Sequence, residues 1–251
     1  MRILALGDIV GSVTVGYLEQ TLWNFRNREK IDFVIANGEN AAEIRGINAG
    51  EARRLLDAGV DALTLGNHTY GQKDLMPLLE SDPRIIRPAN YPASAPGSGH
   101  TVLNLSGWRV LCINVCGRVF MDAFADPFET VEKILAREAG RYDLSVLDIH
   151  AEATSEKWAL ARAFDGKINV MYGTHTHVTT ADEQILPGGS RWQTDLGMSG
   201  PVGGVIGTDS ACVINRFRTL MPGRFSVAQG PVEIHGTVFD LPDGTPRRVV
   251  F

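Results

Sequence analysis

The sequence predicts an α/β protein in which two sheets lie face to face with helices outside. Three observations carry this. Strand and helix patterns alternate through the first half, a hairpin opens a second sheet near the middle, and several apolar runs end abruptly in Asp, Glu, Asn or His. Residues 2–7 form the first apolar run, and 13–26 place Leu18, Leu22 and Phe25 on one helical face. Strands over 32–36 and 62–65 then alternate with helices over 49–58 and 72–80, the pattern of right-handed βαβ units in a mostly parallel sheet.

Residues 87–99 are too rich in Pro and Gly for a regular element and read as a surface loop on the rim of a site. Residues 100–105 and 108–115, joined at Ser106-Gly107, read as the hairpin of the second sheet. A helix over 128–138, a strand over 143–149, a helix over 155–164 capped by Thr154 and a strand over 167–172 continue it. Near the C-terminus a helix is expected over 211–218. Antiparallel strands are expected over 224–228, 233–239 and 247–251, with turns at Gly230-Pro231 and Asp243-Gly244. With no repeat or linker, residues 1–251 read as a single domain.

Composition narrows the function. The chain has 251 residues, 44% of them hydrophobic, enough for a sizeable core. Lys and Arg total 24 against 29 Asp and Glu, a net charge of −5 without a basic run, which argues against a duplex-DNA surface. No apolar run approaches the ~20 residues that cross a bilayer. The chain opens directly as a strand with no signal peptide, and its cysteines number 3, so a reducing cytoplasmic setting is expected. Cys112 and Cys116 could supply soft metal ligands, but small residues inside a buried strand is the better reading.

The strand ends carry the chemistry. Gly173-Thr174-His175-Thr176-His177 puts two imidazoles at the C-terminal end of one strand, where an α/β sheet presents its ligand site. Strand alternation would set both on one face. Gly7-Asp8, Gly38-Glu39-Asn40, Gly66-Asn67-His68 and Asp148-Ile149-His150 end their runs similarly, and three of these blocks place Gly where the backbone could approach an ion. One histidine at one strand end is more often a hydrogen-bonded structural residue, but five such ends together point to one site. Asp8, Glu39, Asn40, Asn67, His150, His175 and His177 form an oxygen and nitrogen set that suits Mn, Fe or Zn better than Ca or Mg. Two ions ~3.5–4 Å apart, sharing one carboxylate and a bridging hydroxide, would use them all for displacement at phosphorus.

His68, beside Asn67, is assigned to protonate the leaving alkoxide or bind a phosphate oxygen. His100 and His235 lie in predicted strands without the acids or Gly turns that would mark a ligand site, and they read as structural. Asn37 reads as a turn cap, Asp148 and Glu152 as partners of His150, and Asp182 and Glu183 as solvated or structural residues.

These blocks resemble the calcineurin-like metallophosphoesterase superfamily, and within it the bacterial YmdB-like phosphodiesterase branch. Further matches are Arg87-Pro88-Ala89-Asn90-Tyr91-Pro92, Gly117-Arg118-Val119-Phe120-Met121, Ala153-Thr154-Ser155-Glu156-Lys157 and Asp195-Leu196-Gly197-Met198-Ser199-Gly200-Pro201. The resemblance implies a four-layer α/β/β/α sandwich with a dinuclear centre. It assigns Asp8, Glu39, Asn40 and His177 to one ion, with Glu39 bridging to a second held by Asn67, His150 and His175, and His68 catalytic. Val10 stands where the superfamily usually has His, and Asn40 would fill that vacancy. Glu39 replaces the usual bridging Asp. Thr69 stands where an acid often follows the catalytic His, so the group that orients His68 must come from elsewhere. Glu43-Ile44-Arg45 departs from the Gly-rich sequence of the branch, and Arg45 there is a rim residue that either meets substrate phosphate or is solvated.

The expected activity is hydrolysis of cyclic nucleotides, 2′,3′-cyclic nucleoside monophosphates foremost, by metal-bound hydroxide, with iron or manganese before zinc. A phosphomonoesterase is the nearest alternative. A regulatory or RNA-processing partner that keeps its metal site for structure is the other. The sequence leaves homo-oligomer formation open.

Overall fold

The strand and helix elements fall largely where the two apolar periodicities predict them. The computed structural model describes residues 1–43, 45–105 and 107–251. In chain order the strands and α-helices are β1 (Arg2–Leu6), β2 (Asp8–Ile9), α1 (Ser12–Glu29), β3 (Phe33–Asn37), α2 (Ala49–Asp57), β4 (Ala62–Thr64), α3 (Met76–Ser81) and β5 (Ile85–Ile86). Then come β6 (His100–Leu105), β7 (Trp108–Cys116), α4 (Pro127–Arg137), β8 (Leu144–His150), α5 (Thr154–Phe164), β9 (Val170–Thr174), β10 (Gln184–Ile185) and β11 (Arg191–Gln193). The chain finishes with β12 (Met198–Pro201), α6 (Ser210–Thr219), β13 (Val232–Glu233), β14 (His235–Asp240) and β15 (Arg247–Val250).

One sheet runs β15-β14-β1-β3-β4-β5, parallel from β1 to β5 and antiparallel beyond β1. A second runs β10-β11-β9-β8-β7-β6, parallel from β11 to β7, with an antiparallel strand at each edge. Period-2 alternation explains their stacking. Ile3 and Ala5 of β1 meet Val110 and Cys112 of β7 and Tyr172 of β9 in the layer between the sheets. Leu4 and Leu6 instead face Leu18 and Leu22 of α1 and Leu55 of α2. Leu111 and Ile113 turn outward onto Val131 of α4 and Leu160 of α5. These three apolar layers separate four structural ones, so the architecture is the α/β/β/α sandwich of calcineurin-like phosphoesterases. Cys112 and Cys116 are buried in β7 as small core residues.

Several expectations need correction. Residues 224–228 form no strand; only Val227 makes an isolated bridge, to Thr208, because no strand lies alongside the rest. Thr154 is the first residue of α5, and the cap position belongs to Ala153 without a side-chain bond. The 72–80 helix begins as a 3-10 turn at Lys73–Leu75 before α3. A small sheet, β13-β12-β2, escapes sequence patterning, because its strands are only two to four residues long. It forms because the Gly7 and Gly197 backbones pass so closely that a Cβ on Gly7 would lie 2.0 Å from the Gly197 carbonyl oxygen. Ser106 of the expected hairpin turn and Ile44 of the rim segment lie outside the described residues. Among the described residues no helix is long and apolar enough to cross a membrane.

Candidate metal centre

The C-terminal ends of β1, β3, β4, β8 and β9 converge at one end of the sandwich. Each run stops where its last residue leaves the apolar layer. Beyond β1, Asp8 is fully buried; beyond β3 and β4 come Glu39, Asn40, Asn67 and His68; His150 closes β8. All seven residues expected to bind metal meet here. His150 Nε2 lies 3.0 Å from Glu39 Oε1, 3.1 Å from Asn67 Oδ1 and 3.1 Å from His175 Nδ1. The potential ligand atoms of Glu39, His150 and His175 all lie within 4.8 Å of one another and could hold an ion. His177 Nε2 is 3.3 Å from Asn40 Nδ2 and 3.8 Å from Asp8 Oδ1.

The hydrogen-bond partners dictate which nitrogen of each ring carries a proton. His177 Nδ1 faces the Ile206 carbonyl at 3.0 Å, and a carbonyl only accepts, so Nδ1 holds the hydrogen and the Nε2 lone pair faces Asp8 and Asn40. His150 Nδ1 lies 2.9 Å from Thr174 Oγ1, whose own proton is donated 2.7 Å to Asp148 Oδ1. Its Nε2 lone pair is thereby directed at Glu39, Asn67 and His175. His175 Nε2 meets the Glu152 carboxylate at 3.2 Å, leaving Nδ1 toward His150 and Glu39. Three imidazoles thus turn their lone pairs to one centre, each held by an outer partner, as in metal sites.

The buried carboxylates supply the charge. Asp8 Oδ2 accepts the His175 N–H at 3.0 Å, whereas Asp8 Oδ1 is buried without a hydrogen-bond partner. An orphaned carboxylate oxygen costs free energy unless a cation satisfies it, so the donor set and this unpartnered oxygen both fit a metal ion. Burial raises the Asp8 pKa against the attraction of His177 and His150. Burial also opposes ionisation of Glu39, but the His150 charge and hydrogen bond and the His68 charge outweigh it, leaving the pKa at about 2. For His150 burial is again outweighed, here by Glu39, Asp8 and Asp148, which hold its pKa at about 9. The same field that favours a proton there favours a cation. Burial, then the neighbouring His150 charge, push His175 down to about 3.

His68 stands apart from these three rings. Its side chain is 29% exposed, its backbone N–H donates 2.9 Å to Glu39 Oε2, and its Nδ1 lies 3.1 Å from Asn40 Oδ1. Asn40 is therefore the group that orients His68 where Thr69 cannot; Thr69 bonds back to the Gly66 carbonyl instead. Burial lowers the His68 pKa, the Glu39 charge opposes this, and the Arg45 charge adds to the lowering. Arg45 lines a small surface cavity with Gln72 and Phe225.

Only part of the glycine expectation holds. A Cβ on Gly66 would lie 2.3 Å from His150 Nε2, so the backbone does approach the centre there, whereas Gly38 packs against Ile47 and Leu63 side chains. His175 and His177 do not alternate along β9, which ends at Thr174; both have left-handed backbones, φ 97° and 63°. Glu152 serves His175 rather than His150. Asp148 does serve His150, through Thr174, and Asn37 both accepts the Glu39 N–H in a turn and donates 3.2 Å to Asp148. His100 pairs with Glu138 and His235 with Glu233, both outside the cluster. Asp182 binds Thr180 and Glu183 binds Arg248, structural roles both. Sequence reasoning misses Tyr91 of the 87–99 loop as a single residue; its hydroxyl donates 3.2 Å to the Asn67 carbonyl, tying that loop to the site. A cavity of about 580 Å³, bordered by Ser12, Val13, Phe225 and Val227, includes none of the clustered residues.

The YmdB-like protein family model matches residues 4–249, nearly the full chain. The chain belongs to the YmdB-like family. A Bacillus subtilis (strain 168) relative, a 2′,3′-cyclic-nucleotide 2′-phosphodiesterase, is 41% identical over 249 residues, which cover 99% of this chain and 94% of the relative. A solved structure of a Thermus thermophilus protein superposes with a TM-score of 0.93 at 40% identity, covering 100% of this chain and 99% of that one. A Mycoplasma pneumoniae structure described as a novel phosphatase gives 0.92 at 30% identity, with 100% and 93% covered. In this YmdB-like chain Asp8, Glu39, Asn40, Asn67, His68, His150, His175 and His177, all from blocks that carry the resemblance, meet at the strand ends.

Proposed function

We propose that this YmdB-like chain is a metal-dependent phosphodiesterase that opens 2′,3′-cyclic nucleoside monophosphates. The observation that supports it best is the convergence of three lone-pair-bearing imidazoles with the buried carboxylates of Asp8 and Glu39 and the side-chain amides of Asn40 and Asn67. On this reading Asp8, Asn40 and His177 hold one ion, Asn67, His150 and His175 hold another, and Glu39 serves both. Iron or manganese suits this mixture, with zinc the third choice. When bound, such ions activate water and neutralise the charge that builds at phosphorus.

The chain's own residues do the rest. Asn40 holds the His68 ring and Glu39 its backbone N–H at the half-open edge of the site, where the ring delivers a proton to the departing ribose oxygen. The substrate assignment leans on the Bacillus subtilis relative. Residues 1–251 act as one domain in this reading, and the unpaired thiols of Cys112 and Cys116 agree with a reducing cytoplasm.

Three measurements test it. His68→Ala is expected to abolish turnover and leave bound metal near wild type; unchanged turnover removes His68 from the mechanism. Offering cyclic and terminal phosphates side by side checks the substrate, and hydrolysis of the terminal phosphate alone makes the chain a phosphomonoesterase; the Mycoplasma pneumoniae structure is described as a phosphatase. If His68→Ala keeps a cellular phenotype that deletion removes, a regulatory or RNA-processing role is favoured over catalysis.

A further inference from the structure

Between His175 and His177 lies Thr176, and beneath it lies a charged pair that takes no part in the chemistry above. Lys157 of α5 is completely buried, and its Nζ donates 2.6 Å to Asp195 Oδ2. The same oxygen accepts the Thr176 hydroxyl at 2.7 Å and the Thr176 N–H at 3.3 Å. The other oxygen of Asp195 accepts the Gly197 N–H at 2.8 Å, and the Gly197 carbonyl accepts the Asp8 N–H at 3.0 Å. One carboxylate therefore links the turn that carries both histidines to the strand that carries Asp8.

Two physical arguments give this link a purpose. The turn places two non-glycine residues, His175 at φ 97° and His177 at φ 63°, in a region that L-residues avoid, and such a backbone persists only where its surroundings over-determine it. The residue between them is pinned by both its amide and its hydroxyl. Further, a buried ion pair is a weak source of stability, since apolar residues of similar size often do as well or better. What it supplies is fixed geometry. The Lys157 stem also explains the glycine that opens the motif: a Cβ on Gly173 would lie 2.8 Å from Lys157 Cδ and 1.9 Å from the Thr194 carbonyl oxygen.

We propose that Asp195, held by Lys157, is a positioning residue that sets the His175 and His177 rings relative to Asp8 through the Thr176 hydroxyl. This rests on the reading of the strand ends as a metal centre. The test is titration of metal-stripped protein with Mn²⁺, in wild type, Thr176→Val, Thr176→Ser and His177→Ala, with thermal unfolding of each metal-stripped protein alongside. Thr176→Val removes the hydroxyl at nearly constant shape and is expected to weaken Mn²⁺ binding roughly 10- to 100-fold, while unfolding stays close to wild type. Thr176→Ser restores the hydroxyl and is expected to bind within about threefold of wild type. If His177→Ala binds weakly but Thr176→Val binds as wild type, the positioning role is overturned and the metal centre stands. If wild type takes up no Mn²⁺, or His177→Ala binds as wild type, the metal-centre reading fails and this inference with it. Should Thr176→Val unfold, Asp195→Asn, which keeps the shape and weakens the hold on Thr176, decides on the same scale.

Discussion

The two sheets contribute different chemistry to one site. The sheet built on β1, β3 and β4 brings oxygens, from Asp8, Glu39, Asn40 and Asn67; the sheet built on β8 and β9 brings nitrogens, from His150, His175 and His177. The oxygen side needs little support. A carboxylate presents two equivalent acceptors over a broad range of directions, and Asp8 Oδ1 is even left without a partner. The nitrogen side is heavily supported, by Thr174 and Asp148, by Glu152, by the Ile206 carbonyl and by the Lys157–Asp195 pair. An imidazole offers a single lone pair, and only if its proton sits on the other nitrogen, so each ring needs an outer partner. The comparison teaches that charge can be supplied cheaply from a strand end, while direction has to be built.

That asymmetry can be broken from either side. The largest effect is expected from Glu39→Gln, which removes the shared charge from the oxygen side. Activity should fall by more than about 100-fold, and elemental analysis should find fewer than two ions per chain. On the proposed reading metal adds a bond between the two sheets at this end, which a chelator should remove. At about 100 times the dissociation constant bound metal contributes about 2.7 kcal/mol. Calorimetry should therefore show a melting temperature lower by roughly 5–10 °C, and no change would argue against a site preformed in the folded state.

On the nitrogen side the expected effects are smaller. Thr174→Val deletes the acceptor that holds the His150 proton on Nδ1, and Mn²⁺ affinity should drop about 10-fold or somewhat more. Both partners of that hydroxyl are buried, so a loss of about 1–3 kcal/mol in urea unfolding should accompany it. Glu152→Gln, whose side chain is 49% exposed, keeps an acceptor for His175 and should cost less than about tenfold in affinity, with unfolding unchanged. If Glu152→Gln proves as damaging as Thr174→Val, burial of the orienting group is not what matters.

Much of the fold is legible in the residues. The 2-residue period of β1 and β7 and the 3.6-residue period of α1 place three apolar layers, which is why spacing alone assigns Leu18 and Leu22 to the core. What spacing misses is structure made by close approach of distant segments. β2 and β12 are too short to show a period, and their pairing depends on Gly7 passing Gly197. Residues 224–228 have strand-like composition but only the short segment 207–209 beside them, enough for one isolated bridge, and composition cannot report a missing strand.

The sequence by itself determined which atoms could meet: each candidate ligand follows an apolar run, so each had to emerge at a strand end, whatever the details of the turn. Only the tertiary structure decided how they meet. His68 is oriented by Asn40, 28 residues away, His150 by Thr174, 24 away, and His177 by the carbonyl of Ile206, 29 away. A hydrogen bond depends on tenths of an ångström and on the direction of one lone pair, and those are fixed by how distant strands pair and how the turns beyond them come together, a property no local run of residues contains.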